Sequence, residues 1–372
     1  MNMKALIQLC ILLSASALAF SCAKGAPDEQ FPGDSSGRVC LSLSDGDETK
    51  VSGMEYERDE KPLTHWAFFV FDKSTGALAC RGTVRDATRV EKTLPTGEYE
   101  LYVIGNYPQT GARQVDISSI ASISQFMALK SGLADNVPGA FVMAGKRSFT
   151  VEKTSPDEDP QTINLRMKRL VSKLTLVSIT RSFTSPSLGA KQLKLKHIYL
   201  TNVYTEACYG EDFDLATIKE RGNALWYNRM GWHGEGSLAA SDAADLLTGE
   251  RNLDVVLPQG GTQTIGCSLY FYPNPMLPSL DDHSETWTGP RCTRLVLETE
   301  LGGKTYYYQA TLPKDDGHAP LVRNTSFSVS CTLTQLGYTD PEQEIPGLME
   351  ITFEPDVPLG GWDPTITVTE AS

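Results

Sequence analysis

The sequence is poor in the side chains from which catalytic and metal centres are built. Its five histidines, His65, His197, His233, His283 and His318, stand far apart in unlike contexts. No HExxH, no CxxC and no Cys/His grouping with zinc spacing occurs, so no metal, cofactor-binding or catalytic residue is expected. The acidic groups Asp157 to Asp159 and Asp281, Asp282 and Glu285 lack the ligand spacing of a calcium loop and read as solvated turns. Positive charge is also short, with 33 Lys and Arg against 46 Asp and Glu and a formal net charge of −13. A chain this acidic repels phosphate backbones, which excludes nucleic acid as a partner. Regular alternation of strands and helices is missing too, which argues against a parallel α/β sheet.

What is present begins with a leader. Lys4 supplies the one positive charge, and Ala5 to Phe20 run apolar and small without a charged residue. That run is shorter than the ~20 residues a membrane-spanning helix needs, and it stops at Ser21-Cys22 before a polar stretch. Residues 1–21 are therefore read as a secretory signal. A small residue directly before a cysteine resembles a bacterial lipobox, so Cys22 is the expected lipidation site. Residues 22–37, rich in Gly, Pro, Ser and Asp, suit a flexible lipidated tether.

The mature chain keeps Cys40, Cys80, Cys208, Cys267, Cys292 and Cys331, and the sequence does not choose among their pairings. Cys267 and Cys331 fall in phase with apolar residues and read as buried thiols. Cys40 alternates with Val39, Leu41 and Leu43, so its thiol should point away from them.

Short Val, Ile, Leu, Thr and Tyr runs are punctuated by 31 glycines and 21 prolines, the pattern of an all-β chain. Strands are expected at Arg38 to Ser44, Trp66 to Asp72, Ala77 to Val84, Val90 to Leu94, Glu98 to Asn106 and Ser148 to Glu152. Further strands are expected at Ile163 to Val177, Lys191 to Val203, Asp254 to Leu257, Thr264 to Tyr272, Arg294 to Glu300, Lys304 to Thr311 and Thr325 to Thr334. Ile117, Ile120, Ile123 and Met127 recur at helical spacing behind Asp116, which predicts one short helix over 117–130. A second short helix is expected at Ser241 to Leu247. The acidic, Pro-flanked loop 156–160 marks a boundary between an N-terminal β-sandwich, 38–161, and a C-terminal one, 162–372, both antiparallel. Arg166, Lys168, Arg169 and Lys173 then form a solvated strand face. Aromatic residues Trp226 to His233 would either stack on a sugar ring or cap a sandwich edge.

The order of motifs resembles a known family. After the lipobox-like leader come Leu94-Pro-Thr-Gly-Glu-Tyr99, Val103-Ile-Gly-Asn106, Arg169-Leu-Val-Ser-Lys-Leu174, Val322-Arg-Asn-Thr-Ser-Phe327 and a late Trp362. Together they are similar to the Bacteroidetes fimbrillin superfamily, the type V pilins, over nearly the whole mature chain. The resemblance implies two transthyretin-like β-sandwiches, exported as a lipoprotein to the outer membrane and cell surface and polymerised there. It implies that an arginine-specific protease cuts after the first strand, for which Arg58 is the candidate. Val39, Leu41 and Leu43 would leave with that strand, and the groove would take a strand from the tail 339–372 of another pilin subunit. Ile351, Phe353, Ile366 and Val368 carry the alternation a donor needs, although the same tail could fold back on its own domain. An anchor or tip subunit, or a monomeric surface lipoprotein binding a glycan, host protein or bacterial surface ligand through 205–250, fits the same sequence.

Lipid attachment requires the Cys22 thiol. Cys22→Ala should abolish metabolic palmitate labelling and release the protein from the membrane fraction, read by autoradiography after fractionation.

Overall fold

The computed structural model describes residues 36–43, 63–210 apart from 112 and 138, 226–227, 249–250, 253–280, 292–313, 320–340, 345 and 347–355. The leader, Cys22, Arg58, the helix expected at 241–247, Ile366 and Val368 lie outside these residues.

Nine strands come first: β1 (Ser36–Leu43), β2 (His65–Asp72), β3 (Leu78–Arg85), β4 (Arg89–Pro95), β5 (Gly97–Gly105), β6 (Lys130–Gly132), β7 (Met143–Val151), β8 (Gln161–Leu165) and β9 (Lys168–Arg169). They form two facing sheets, ordered β4-β1-β8 and β3-β2-β5-β7-β9, while β6 pairs elsewhere. Turn chemistry sets the first hairpin. The Asp72 carboxylate accepts from the backbone N–H of Ser74 and Thr75, and Gly76 takes φ +68° to close the turn. Hydrogen bonds from the Ser74 hydroxyl and from Thr75 hold the Asp72 carboxyl below the usual range.

The second half contains β10 (Ser172–Arg181), β11 (Leu193–Thr201), β12 (Val203–Tyr204), β13 (Glu206–Cys208), β14 (Trp226–Tyr227), β15 (Gly249–Glu250), β16 (Val255–Leu257), β17 (Gly261–Phe271), β18 (Thr293–Leu301), β19 (Lys304–Leu312), β20 (Ser326–Leu333) and β21 (Met349–Pro355). One sheet runs β17-β10-β20-β21; the other runs β11-β18-β19, with β15 and β16 both paired to the free side of β11. The two halves share one strand order. In each, the opening strand lies between the fourth strand of the pattern and the last (β4-β1-β8, β17-β10-β20), and the other sheet follows the same succession (β3-β2-β5-β7, β16-β11-β18-β19).

Three expectations are corrected. The sandwiches are not purely antiparallel, since β1 pairs with β8 and β10 with β20 in parallel. In each half the last strand crosses over from the opposite sheet and arrives running in the direction of the first. The boundary also moves. Gln161–Leu165, expected to open the second half, hydrogen-bonds to β1, and Arg169 pairs with Met143, so the strand partners change only after residue 169. The helix over 117–130 divides into a 3₁₀ turn, Ile117–Ser119, capped by Asp116, and α1 (Ile123–Met127), capped by Ser122. Between them the backbone is drawn onto the first hairpin: Leu78 N–H donates to Ala121 O and Ile123 N–H to Gly76 O. Another short helix, α2 (Pro186–Gly189), opens on a Pro at its first turn.

The core follows from β2, which reads Trp-Ala-Phe-Phe-Val-Phe without alternation because both faces of its sheet are covered. Trp66, Phe68 and Val70 face the sheet of β1, whereas Ala67, Phe69 and Phe71 join a second cluster with Tyr102, Ile104 and Phe126 of α1. That cluster continues without a break into the second sandwich. The excursion between β5 and β7 makes the joint. Its β6 pairs with β13, Phe141 lies 4.7 Å from the Tyr270 ring, and the Tyr272 hydroxyl donates to Ser131 Oγ at 2.8 Å and accepts from Asn136 Nδ2 at 2.7 Å. Burial pushes the Tyr272 phenol well above its usual range, so it stays a donor.

Tyr272→Phe keeps the ring and removes the hydroxyl that ties the excursion to the second sandwich. It should cost about 1–3 kcal/mol of unfolding free energy, measured by urea titration, because buried Ser131 and Asn136 groups lose their partner.

Candidate functional site

The feature that stands out is the first strand. β1 is not an edge: Ser36 to Ser42 pair with β4, and Val39 to Leu43 pair with β8 on the other side. Val39, Leu41 and Leu43 are 0%, 1% and 7% exposed, which shows that all three fill the interior rather than line its rim. They pack in one cluster with Trp66, Phe68, Val70, Leu101, Val103 and Ile163. Cys40 is buried too but stands apart from that cluster, on the opposite face, as the alternation requires.

The entry to β1 is built for close approach. A Cβ on Gly37 would collide with the Glu152 carbonyl oxygen, so only glycine lets the strand lie against the end of β7. Arg38 then reaches outward, donating to the carbonyl oxygens of Pro156 and Glu158 and pairing with Glu91 at 3.3 Å. These groups are largely solvated, so the pair contributes little and mainly orients the start of the strand. The acidic loop 156–160, expected to mark a domain boundary, instead carries the chain from β7 to β8, beside β1.

The other half of the expected exchange is the tail. The structure pairs β21 antiparallel to β20, with Ile351 opposite Cys331 and Phe353 opposite Val329. Ile351 is 9% exposed and belongs to the second sandwich's own core. Of the four expected donor residues, Ile351 and Phe353 therefore lie in a strand folded back on its own domain, since an alternating segment satisfies its own sheet edge first when one is adjacent. β21 ends at Pro355, opposite Phe327, at the sheet end where β20 begins.

The remaining side chains singled out from the sequence have structural roles. His65 hydrogen-bonds to the Tyr107 carbonyl oxygen and packs edge-on to its ring, and burial lowers its pKa. His197 lies 3.2 Å from Glu298. His233, His283, His318 and the 281–285 acidic group lie outside the described residues. Among the described residues no disulfide forms, and Cys40 and Cys80 sit in different sheets. Burial pushes the Cys331 thiol up to about 12, which leaves it unreactive. Arg166 and Lys168 are exposed as expected, but Arg169 is fully buried, because odd-numbered positions from 163 to 169 face inward.

No protein-family model and no curated protein matches the sequence. Solved structures do match. A candidate cell adhesion protein from Parabacteroides distasonis has a TM-score of 0.56 at 14% identity, over 90% of this chain and 99% of that one. A second from the same organism has a TM-score of 0.59 at 12% identity, over 86% and 98%. A fimbrilin from Porphyromonas gingivalis has a TM-score of 0.57 at 13% identity, over 87% and 98%. The chain thus shares the fold of Bacteroidetes fimbrial and candidate adhesion proteins along both sandwiches, as its motif order led us to expect.

Leu41→Ala would leave a void where β1 meets the core. We expect a loss of about 2–5 kcal/mol in denaturant titration, with amide protection falling first along β1.

Proposed function

We propose that the protein is a structural subunit of a cell-surface fimbria, exported as a lipoprotein and assembled by strand exchange after its first strand is removed. The observation that carries this reading is the position of β1 between β4 and β8, where its loss opens a groove in the middle of a sheet. That groove would expose two rows of backbone groups and an apolar floor that includes Trp66, Phe68 and Val70. Each buried aliphatic side chain withdrawn from it forfeits about 1.5–3 kcal/mol, so the emptied domain strongly favours any strand that restores the pattern. The likeness in fold to a fimbrilin and to candidate adhesion proteins supports the same reading.

The tail supplies the complementary strand. With β21 committed to its own sheet, the donor is the segment beyond Pro355, in which Trp362, Pro364, Ile366 and Val368 recur at every second position. To replace β1 in kind, it enters parallel to β8 and antiparallel to β4. Cleavage at Arg58, in the segment between β1 and β2, frees the groove, and Cys22 holds the uncut precursor on the outer membrane. The other subunits of the fibre are its partners, with main-chain hydrogen bonds supplying affinity and apolar side chains supplying register.

Deletion of 356–372 separates this reading from a monomeric adhesin. The truncated protein should keep its thermal midpoint within a few degrees and fail to form heat-resistant ladders on gels of surface material. Ladders as long as those of the full chain would sink strand donation by this segment.

A further inference from the structure

In the sheet β17-β10-β20-β21, Leu174, Leu176 and Ile179 of β10 point into the core of the second sandwich, so Thr175, Ser178 and Thr180 point outward. The register extends each of them into a row. Thr175 stands between Ser268 of β17 and Ser328 of β20, Ser178 between Thr264 and Ser330, and Thr180 between Thr262 and Thr332. Hydroxyls therefore tile the middle of the face. Thr175 and Ser268 meet at 3.3 Å, the Ser178 hydroxyl donates to Ser330 at 3.3 Å, and Thr180 and Thr262 meet at 2.8 Å. Among them stands Val177, the extra residue of a bulge in β10, 42% exposed. Other outward faces carry paired charges, as in Arg38 with Glu91 on the first sandwich and Lys194 and Lys196 with Asp254 on the second. Here charge begins only at the margins, with Lys173 beyond the first row and Glu350 and Glu354 in register on the edge strand β21.

A chain with a net charge of −13 repels its own copies, and two copies lose least by meeting where no charge has to be desolvated. These rows supply such a place. A hydroxyl has one donor and two acceptor positions, so hydroxyls already bonded in pairs still have acceptors to offer, and two such faces complement each other. Val177 adds an apolar centre within a polar surround. We propose that this face is a contact between copies of the chain, packed sheet against sheet. A two-fold axis along the strands lays β17 of one copy over β21 of the other, which covers Glu350 with an uncharged strand rather than with its own equivalent. Three to four strands ~4.8 Å apart, over about 20 Å of their length, present roughly 300–400 Å². That is about half or less of the ~800 Å² per partner in a stable interface, so an isolated pair dissociates. Copies held in rows bind through many such contacts at once. Resting on the reading of the protein as a fibre subunit, the contact joins fibres side by side.

Beads densely coated with the mature full-length protein test the contact without any fibre. We expect wild-type beads to cluster, and to cluster more as salt rises from about 10 to 150 mM, because screening removes the repulsion and leaves the uncharged contact. Val177→Glu charges a side chain that is already exposed; it should keep the thermal midpoint and reduce clustering roughly tenfold. Ala79→Glu with Thr83→Glu, at exposed positions of β3, adds more negative charge elsewhere and should leave clustering within about twofold at 150 mM salt. Beads carrying Val177→Lys should form mixed clusters with Val177→Glu beads and recover most of the loss, since the two-fold axis brings equivalent positions together. Wild-type beads that stay apart at 150 mM salt, clustering that survives Val177→Glu, or an equal loss in the β3 control overturns the contact. Failure of the mixed beads to recover overturns the second copy as the occupant of this face. Gel ladders report strand donation and bead clustering reports this contact, so either reading can fail alone.

Discussion

The sheet built around β2 and β5 is buried on both of its faces, and the remaining architecture is arranged to satisfy that constraint. One face requires the β4-β1-β8 sheet, because Trp66, Phe68 and Val70 would otherwise meet water. The other requires the excursion between β5 and β7, which lays Phe126 against Phe69, Phe71 and Tyr102. Each such aromatic contributes on the order of 2–3 kcal/mol by burial, so neither cover is optional. Since the excursion also pairs with β13 and bonds to Tyr272, covering β2 fixes the second sandwich in place as well.

The repeated strand order makes the differences between the two halves informative. Each opening strand is flanked on both sides, but β10 is tied at its start to the first sandwich, where Arg169 pairs with Met143 and Leu170 N–H donates to Val142 O, whereas β1 is followed by the long polar segment 44–62. A single cut between β1 and β2 would sever the covalent link between β1 and every strand that follows it, whereas β10 has described strands on both sides of it in the chain. In the second half the last strand, β20, has β21 on its outer side, while β8 in the first half has no strand there among the described residues. β21 thus uses the tail's first alternating run, Met349, Ile351 and Phe353, within its own sheet.

Most strand positions were legible because burial on one face writes a period of two into the sequence. β20, with its strict alternation of inward Phe327, Val329, Cys331 and Leu333, is the clearest instance. Where both faces are buried, as in β2, the signal becomes a plain apolar run, still readable by its aromatic and β-branched content. The helix over 117–130 misled for a physical reason. Its isoleucines are spaced for a helix, yet Ser122 caps a new start and the hairpin takes up the intervening backbone. Gly37 carried no visible signal, since its need for close approach is set by Glu152, far away in the chain.

By itself the sequence determined what is local: the acidic balance, strand phases, turn residues, and the inward set Val39, Leu41 and Leu43. Such features depend on neighbours within a few residues, and the chain states them directly. Only the tertiary structure decided which strands meet. Parallel pairing of β1 with β8, the shift of the boundary past Arg169, the fold-back of Ile351 and the gathering of hydroxyls from β10, β17 and β20 on one face all join residues distant in sequence. Period and composition say which face of a strand is buried, but the partner that buries it is chosen by the packing of the whole chain.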